Sequence, residues 1–142
     1  MPREKSCGAV VFRRNRETEY LLLQYEAGHW DLVKGHGRRS EKEVETVLRE
    51  LEEETGITDA RFVPEFREGV HYFFRRRGHT VYKEVIYYLI ETRQHDVVLS
   101  DEHIDYRWLP YRQAIRAITF RNSQEVVRKA QERLQQEIPS ER

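Results

Sequence analysis

Glu50, Glu53 and Glu54 follow a glycine-bearing loop, Gly35-His36-Gly37, at a spacing that sets three carboxylates on one face of a helix. Residues at i, i+3 and i+4 are surface neighbours, so like charges there repel by roughly 0.2–0.5 kcal/mol per pair. They also crowd toward the negative end of the helix dipole, where anions are least stable. A bound cation offsets both costs. Mg²⁺ and Mn²⁺ prefer carboxylate oxygens, and Mg²⁺ commonly shares its shell with substrate phosphates. The arrangement fits metal-assisted phosphate chemistry, but in a chain that is 35% charged a solvated acidic face is the commoner meaning of such a spacing taken alone, and the residues around it must decide.

The helix that carries these groups has its own signals. Ser40 followed by Glu43 reads as a capping box and predicts a helix starting at Glu41. Val44, Val47, Leu48 and Leu51 repeat at i, i+3, i+4 and i+7, which lays an apolar stripe against a core. Gly56 supplies a left-handed stop.

The whole chain, 142 residues with 25 basic and 25 acidic side chains, reads as one domain with no net field to draw it to nucleic acid or membrane. Its core is expected over about residues 6–134, with a polar, frayed tail at 135–142. The single cysteine, Cys7, cannot form an internal disulfide and suits a reducing cytoplasm as a buried structural residue. No apolar run approaches a membrane span, so a cytoplasmic protein with no membrane partner is expected. Nothing in the sequence specifies an oligomeric state.

Alternating and β-rich segments predict strands at residues 6–12 and 19–25, joined as a hairpin. A short strand at 29–33 feeds the glycine loop, and an extended segment follows the acidic helix at 60–68. A second hairpin pairs residues 70–76 with 81–91 around Arg77-Gly78-His79, and another strand spans 104–109. Tyr111 to Ile118 reads as a short helix. Asn122 and Glu125 offer a capping box for a last helix reaching Leu134. This is a mixed α/β pattern without repeats.

The spacing from Gly35 to Ile57 also fits Gly-x5-Glu-x7-Arg-Glu-U-x-Glu-Glu-x-Gly-U, where U is aliphatic, at all nine specified positions: Gly35, Glu41, Arg49, Glu50, Leu51, Glu53, Glu54, Gly56 and Ile57. The chain thereby resembles the Nudix hydrolase family, and the resemblance implies an α/β/α sandwich with a mixed sheet flanked by helices. Flanking segments, chiefly Lys34-Gly35-His36 and Leu99-Ser100-Asp101-Glu102-His103, are similar to the branch that hydrolyses diadenosine tetraphosphate asymmetrically, to ATP and AMP. Val33 stands where the family often has proline, and Arg39-Ser40 where it often has Pro-Gly. Neither change removes a ligand, and the Arg38-Arg39 loop bears on substrate preference.

The resemblance implies that Glu50, Glu53 and Glu54, with Glu102 and the Gly35 carbonyl, hold Mg²⁺ or Mn²⁺. The base that deprotonates the attacking water stays open between Glu50, Glu53 and Glu102. Arg49 is expected to pair with Glu41 and orient the loop against the helix, a role that needs arginine's fork. Glu41, Leu51, Gly56 and Ile57 are structural positions of the motif. Lys34 and Lys83 are candidates for phosphate oxygens, although Lys83 also reads as an ordinary strand residue. Tyr72 and Phe120 are candidates to clamp a base, since stacking contributes about 1–3 kcal/mol per base. Tyr82 and Tyr87 are secondary candidates because strand alternation sends some of these rings into the core. His36 and His103 would serve as polar contacts or proton carriers.

The expected partner is a small nucleotide substrate. One rival keeps the chemistry but takes 5′-triphosphorylated or capped RNA, or another nucleoside diphosphate derivative, with Arg75-Arg76-Arg77 on the phosphate backbone. Nucleic acid enters only as such a 5′-end substrate. A second rival is a non-catalytic nucleotide sensor, which the full set of motif glutamates argues against.

Overall fold

A computed structural model describes residues 1–137; residues 138–142, which hold most of the expected tail, lie outside it. Seven strands and three helices follow in the order β1 (Arg3–Arg14), β2 (Thr18–Tyr25), β3 (Trp30–Asp31), β4 (Val33–His36), α1 (Glu43–Thr55), β5 (Arg61–Arg76), β6 (His79–Glu91), β7 (His103–Pro110), α2 (Tyr111–Ala117) and α3 (Arg121–Gln135).

Strand β1 organises the sheet because both of its faces are buried. Cys7, Ala9 and Val11 point to one side, Val10 and Phe12 to the other, so the strand reads as a continuous apolar run. It pairs in parallel with β6 along residues 3–12 and antiparallel with β4 at residues 6–9 and β2 at residues 12–14. β5 extends the sheet beyond β6, and β7 lies along β2.

Two cores result, one on each face. Val47 and Leu51 of α1 pack on Cys7, Ala9, Val11, Leu21, Leu23, Ile86 and Ile90. Ala114 of α2 and Val126, Val127, Ala130 and Leu134 of α3 pack on Val10, Phe12, Leu22, Val85 and Leu89. This is the α/β/α sandwich with a mixed sheet. No helix among the described residues is long and apolar enough to cross a membrane.

Several sequence expectations shift. Helix α1 starts at Glu43, not Glu41. Ser40 takes φ 66°, and the box closes two residues later, where the Lys42 amide donates to Glu45 Oε1 at 2.8 Å. Glu43 instead turns across the sheet to Arg67, Lys5 and Tyr88. The stripe is narrower than its periodicity suggests, since Val44 and Leu48 are about 40% exposed while Thr46, Glu54 and Thr55 are buried. Segments 60–68 and 70–76 are one strand, β5, with a register shift between Phe62 and Arg67 where Glu65 takes φ 64°. Helix α3 is capped by Phe120 without a side-chain hydrogen bond, and Asn122 Nδ2 donates instead to the His71 carbonyl at 3.3 Å. Gly56, at φ 73°, ends α1 as expected.

Candidate active site

The β4–α1 junction is built around Arg49. Its Nε and Nη2 donate to the two Glu41 oxygens at 2.7 and 3.0 Å, and Nη2 also donates to the His36 carbonyl at 2.8 Å. The Arg38 amide and the Thr46 hydroxyl complete the shell of Glu41, and its carboxyl falls to about 2, chiefly through the Arg49 bonds. The fork thus pins the loop to the helix, as its pairing with Glu41 suggested.

Gly35 is glycine because Glu50 occupies the space of a side chain. An added Cβ would lie 2.0 Å from Glu50 Cδ. The backbone of β4 and the carboxylate of α1 are thereby pressed together.

The three motif glutamates occupy different environments. Glu53 is exposed and bonded outward to Arg49 and Arg38. Glu50 is half-buried, accepts from Arg49 Nη1 at 3.2 Å, and has its carboxyl raised first by desolvation. Glu54 is 3% exposed, and desolvation first, then the Glu50 charge, push its carboxyl up to about 9. Among the described residues no three acidic or histidine side chains already converge as a metal cluster. Arg49 Nη1 instead bridges two of the motif carboxylates, Glu50 at 3.2 Å and Glu53 at 3.0 Å.

The residues nevertheless fit a divalent ion. Among the described residues Glu54 Oε1 has no hydrogen-bond partner although it is buried, an expensive state for a carboxylate unless a proton or cation meets it. Glu54 lines a cavity of about 330 Å³ with Glu50, Glu102, Gly35, His36, Lys34 and Lys83, so carboxylates, a close backbone approach and two ammonium groups share one space. Glu53 is absent from that lining and would have to rotate in.

A second cavity, about 380 Å³, is lined by Tyr72 and Phe120, with Val70, Val85 and Tyr87 as apolar walls and Asp31, Lys34, Asn122 and Ser123 as polar ones. Its size and composition suit a small aromatic ligand. Tyr72 sits directly across from Lys83 in the β5–β6 ladder, so both project from one face. Lys34 borders both cavities, with Nζ held 3.0 Å from Asp31 Oδ2.

Other expected residues divide. Tyr87 is in the wall but 1% exposed, a core ring more than a free stacking surface. Tyr82 is not brought to either cavity. Strand alternation turns it to the opposite face, where it meets Phe73, His71 and the Arg3 guanidinium. His103 is buried against Tyr25 and Glu54, and burial lowers its imidazole. In the arginine run, Arg75 donates to the Gly78 carbonyl and Arg76 to Glu4, so two of the three are committed internally.

Sequence reading missed His29, Tyr25 and Asp31. His29 stacks on Tyr25 at 4.7 Å and faces Phe120 at 5.2 Å, linking the two cavities. Their one sequence signal was proximity to Lys34-Gly35. A lone His or Asp carries no periodic pattern, so only β3 and the β2–β3 turn reveal them.

Comparison with known proteins agrees with this geometry. A family profile described as the NUDIX domain matches residues 2–130. The bis(5′-nucleosyl)-tetraphosphatase [asymmetrical] of Rattus norvegicus is 39% identical over 129 residues, 82% of this chain and 85% of the relative. The enzyme of that name from Sus scrofa is 35% identical over 136 residues, 87% and 90% of the two chains. A crystal structure of a C. elegans Ap4A hydrolase binary complex superposes with a TM-score of 0.82 at 30% identity, covering 92% of this chain and 97% of that one. With the glycine loop, the Arg49 fork and the glutamate helix all in place, the chain belongs to the NUDIX domain family and is a Nudix hydrolase.

Proposed function

We propose that this hydrolase takes a dinucleoside polyphosphate, diadenosine tetraphosphate above all, and cleaves it asymmetrically to ATP and AMP with Mg²⁺ or Mn²⁺. The observation that carries the reading is the pair of cavities meeting at Lys34, one aromatic and the other carboxylate-lined and cationic. A base held between Tyr72 and Phe120 would send its phosphates past Lys34 and Lys83 toward the glutamates. Relatives of 35–39% identity that bear the tetraphosphatase name support the choice of substrate.

Glu54 and Glu50, with the Gly35 carbonyl and a rotated Glu53, would hold the metal. When bound, a divalent ion neutralises phosphate charge and acidifies coordinated water. The protein supplies the rest. Lys34 and Lys83 fix phosphate oxygens, the aromatic pair fixes the base, and Arg49 keeps loop and helix in register. Glu102 is the candidate base, because its carboxylate makes no hydrogen bond among the described residues and it lines the cavity. It would take a proton from water as the oxygen bonds to phosphorus and the bridging P–O bond breaks.

Chromatographic product analysis tests the proposal, with purified protein, Mg²⁺, the dinucleotide, a 5′-triphosphorylated RNA and several nucleoside diphosphate derivatives. Equal amounts of ATP and AMP, absent with Glu54→Gln, are the expected result. Preferential RNA turnover would reassign the enzyme to 5′-end processing, and inactivity on every substrate would leave the nucleotide-sensor reading.

A further inference from the structure

Behind two lining residues of the carboxylate cavity, Lys83 and His36, stands an acidic residue that no motif requires. Glu4, near the start of β1, lies directly across from Lys83 in the parallel β1–β6 ladder. Its Oε1 is 3.7 Å from Lys83 Nζ and 3.4 Å from His36 Nε2, while its Oε2 accepts from the Arg76 guanidinium. Lys83 Nζ is also 3.0 Å from His36 Nε2. Four side chains from four strands, Glu4 (β1), His36 (β4), Arg76 (β5) and Lys83 (β6), therefore share one network.

The burial of Lys83 makes this network consequential. Its side chain is 8% exposed, and burial by itself disfavours the ammonium form. A long aliphatic stem also has many rotamers, and a cation that binds phosphate must be held at one of them. Glu4 supplies both the countercharge and the fixed point. Arg76 in turn holds the carboxylate from the hairpin, which gives the middle residue of the arginine run a local purpose.

We propose that Glu4 is a positioning residue that holds Lys83, and His36 beside it, in the geometry that receives the substrate's phosphate chain. The inference rests on the reading of this cavity as a phosphate site. It makes a prediction opposite in sign to simple charge counting. Removing a carboxylate beside an anion site should tighten anion binding if Glu4 acts only through its field; a positioning role requires weaker binding.

The test is a double-mutant cycle on Glu4 and Lys83 read by two probes. Inorganic tripolyphosphate binding with Mg²⁺ is measured by calorimetry, and KM and kcat are measured with diadenosine tetraphosphate. Glu4→Gln should raise the tripolyphosphate Kd and the dinucleotide KM about fivefold, the scale of one lost ion pair, with a smaller change in kcat. Glu4→Asp should recover part of the loss. In a Lys83→Met background Glu4→Gln should lose most of its effect. Arg76→Gln, which leaves the carboxylate but frees it, should give a weaker version of the same defect.

Unchanged or tighter tripolyphosphate binding by Glu4→Gln overturns the proposal. So does an effect that persists in full in Lys83→Met, or wild-type protein that binds no tripolyphosphate. Intact tripolyphosphate binding with the predicted cycle, but no dinucleotide turnover, would sink the proposed substrate and leave the role of Glu4 standing.

Discussion

Glu54 Oε1 lies 4.0 Å from His103 Nε2, and both atoms are buried without a hydrogen-bond partner among the described residues. Burial raises the carboxyl and lowers the imidazole, so each group is driven toward its neutral form. Of the two, Glu54 lines the carboxylate cavity, where a cation would gain most.

Glu54 makes stability depend on pH in a defined direction. Its carboxyl is raised from 4.5 to about 9, so the folded state holds the proton more tightly than the unfolded chain. The associated stability is present in full below pH 4.5 and is lost as pH rises toward 9. Melting temperatures measured in chelator should fall across that window, with a shallower fall for Glu54→Gln. Identical slopes for the two proteins would contradict the buried, proton-holding carboxyl.

The same substitution should cost turnover by more than the roughly 10–100-fold typical of losing an outer-shell metal partner, without loss of folding. Mg²⁺ or Mn²⁺ should raise the melting temperature of wild-type protein and do so less for Glu54→Gln. Full activity in the variant would remove Glu54 from the metal site.

Gly35→Ala places a methyl group where the Glu50 carboxylate now sits. Either the carboxylate or the β4 backbone must move, and the proposed metal site uses both. Metal-dependent activity should be nearly abolished while circular dichroism stays native; an alanine variant of normal activity would show that the close approach has no role.

Arg49→Lys keeps the charge but loses the two-pronged bond to Glu41 and the tie to the His36 carbonyl. A loss of about 1–3 kcal/mol follows from breaking such charged hydrogen bonds. In a chain of this size that corresponds to a fall of several degrees in melting temperature. Thermal denaturation of the two proteins side by side checks it, and equal melting temperatures would show that a point charge suffices.

Tyr72→Ala should raise the KM for dinucleotides more than it lowers kcat. A stacking contribution of about 1–3 kcal/mol corresponds to roughly 5–150-fold. Single-turnover measurements separate binding from chemistry. An unaltered KM would take Tyr72 out of the base site and leave it as one wall of an unused cavity.

Local chemistry was legible wherever a function needs fixed spacing along one element. The glycine loop, the Arg49 and Glu41 pair and the Gly56 stop stand at set spacings along one short loop and the helix after it, so sequence alone locates them. Strands β1, β2, β6 and β7 announced themselves through apolar and β-branched runs, since burial on a sheet leaves that pattern. Helix starts were less legible. Ser40 and Asn122 both had the right chemistry for a cap, but the tertiary contacts of Glu43 with Arg67 and of Asn122 with His71 took precedence.

Sequence by itself determined the family and the fold of this protein: a Nudix helix with every motif glutamate, on an α/β/α sandwich. Tertiary structure decided which groups stand together. Strand register put Tyr72 and Lys83 on one face and turned Tyr82 to the other, and it brought Glu4 to Lys83 across 79 residues of chain. Burial then separated three similar glutamates into an outward ion pair, a half-buried carboxylate and a proton-holding one. Spacing along a helix fixes only neighbours, whereas desolvation and cross-strand pairing depend on atoms that the chain supplies from distant positions.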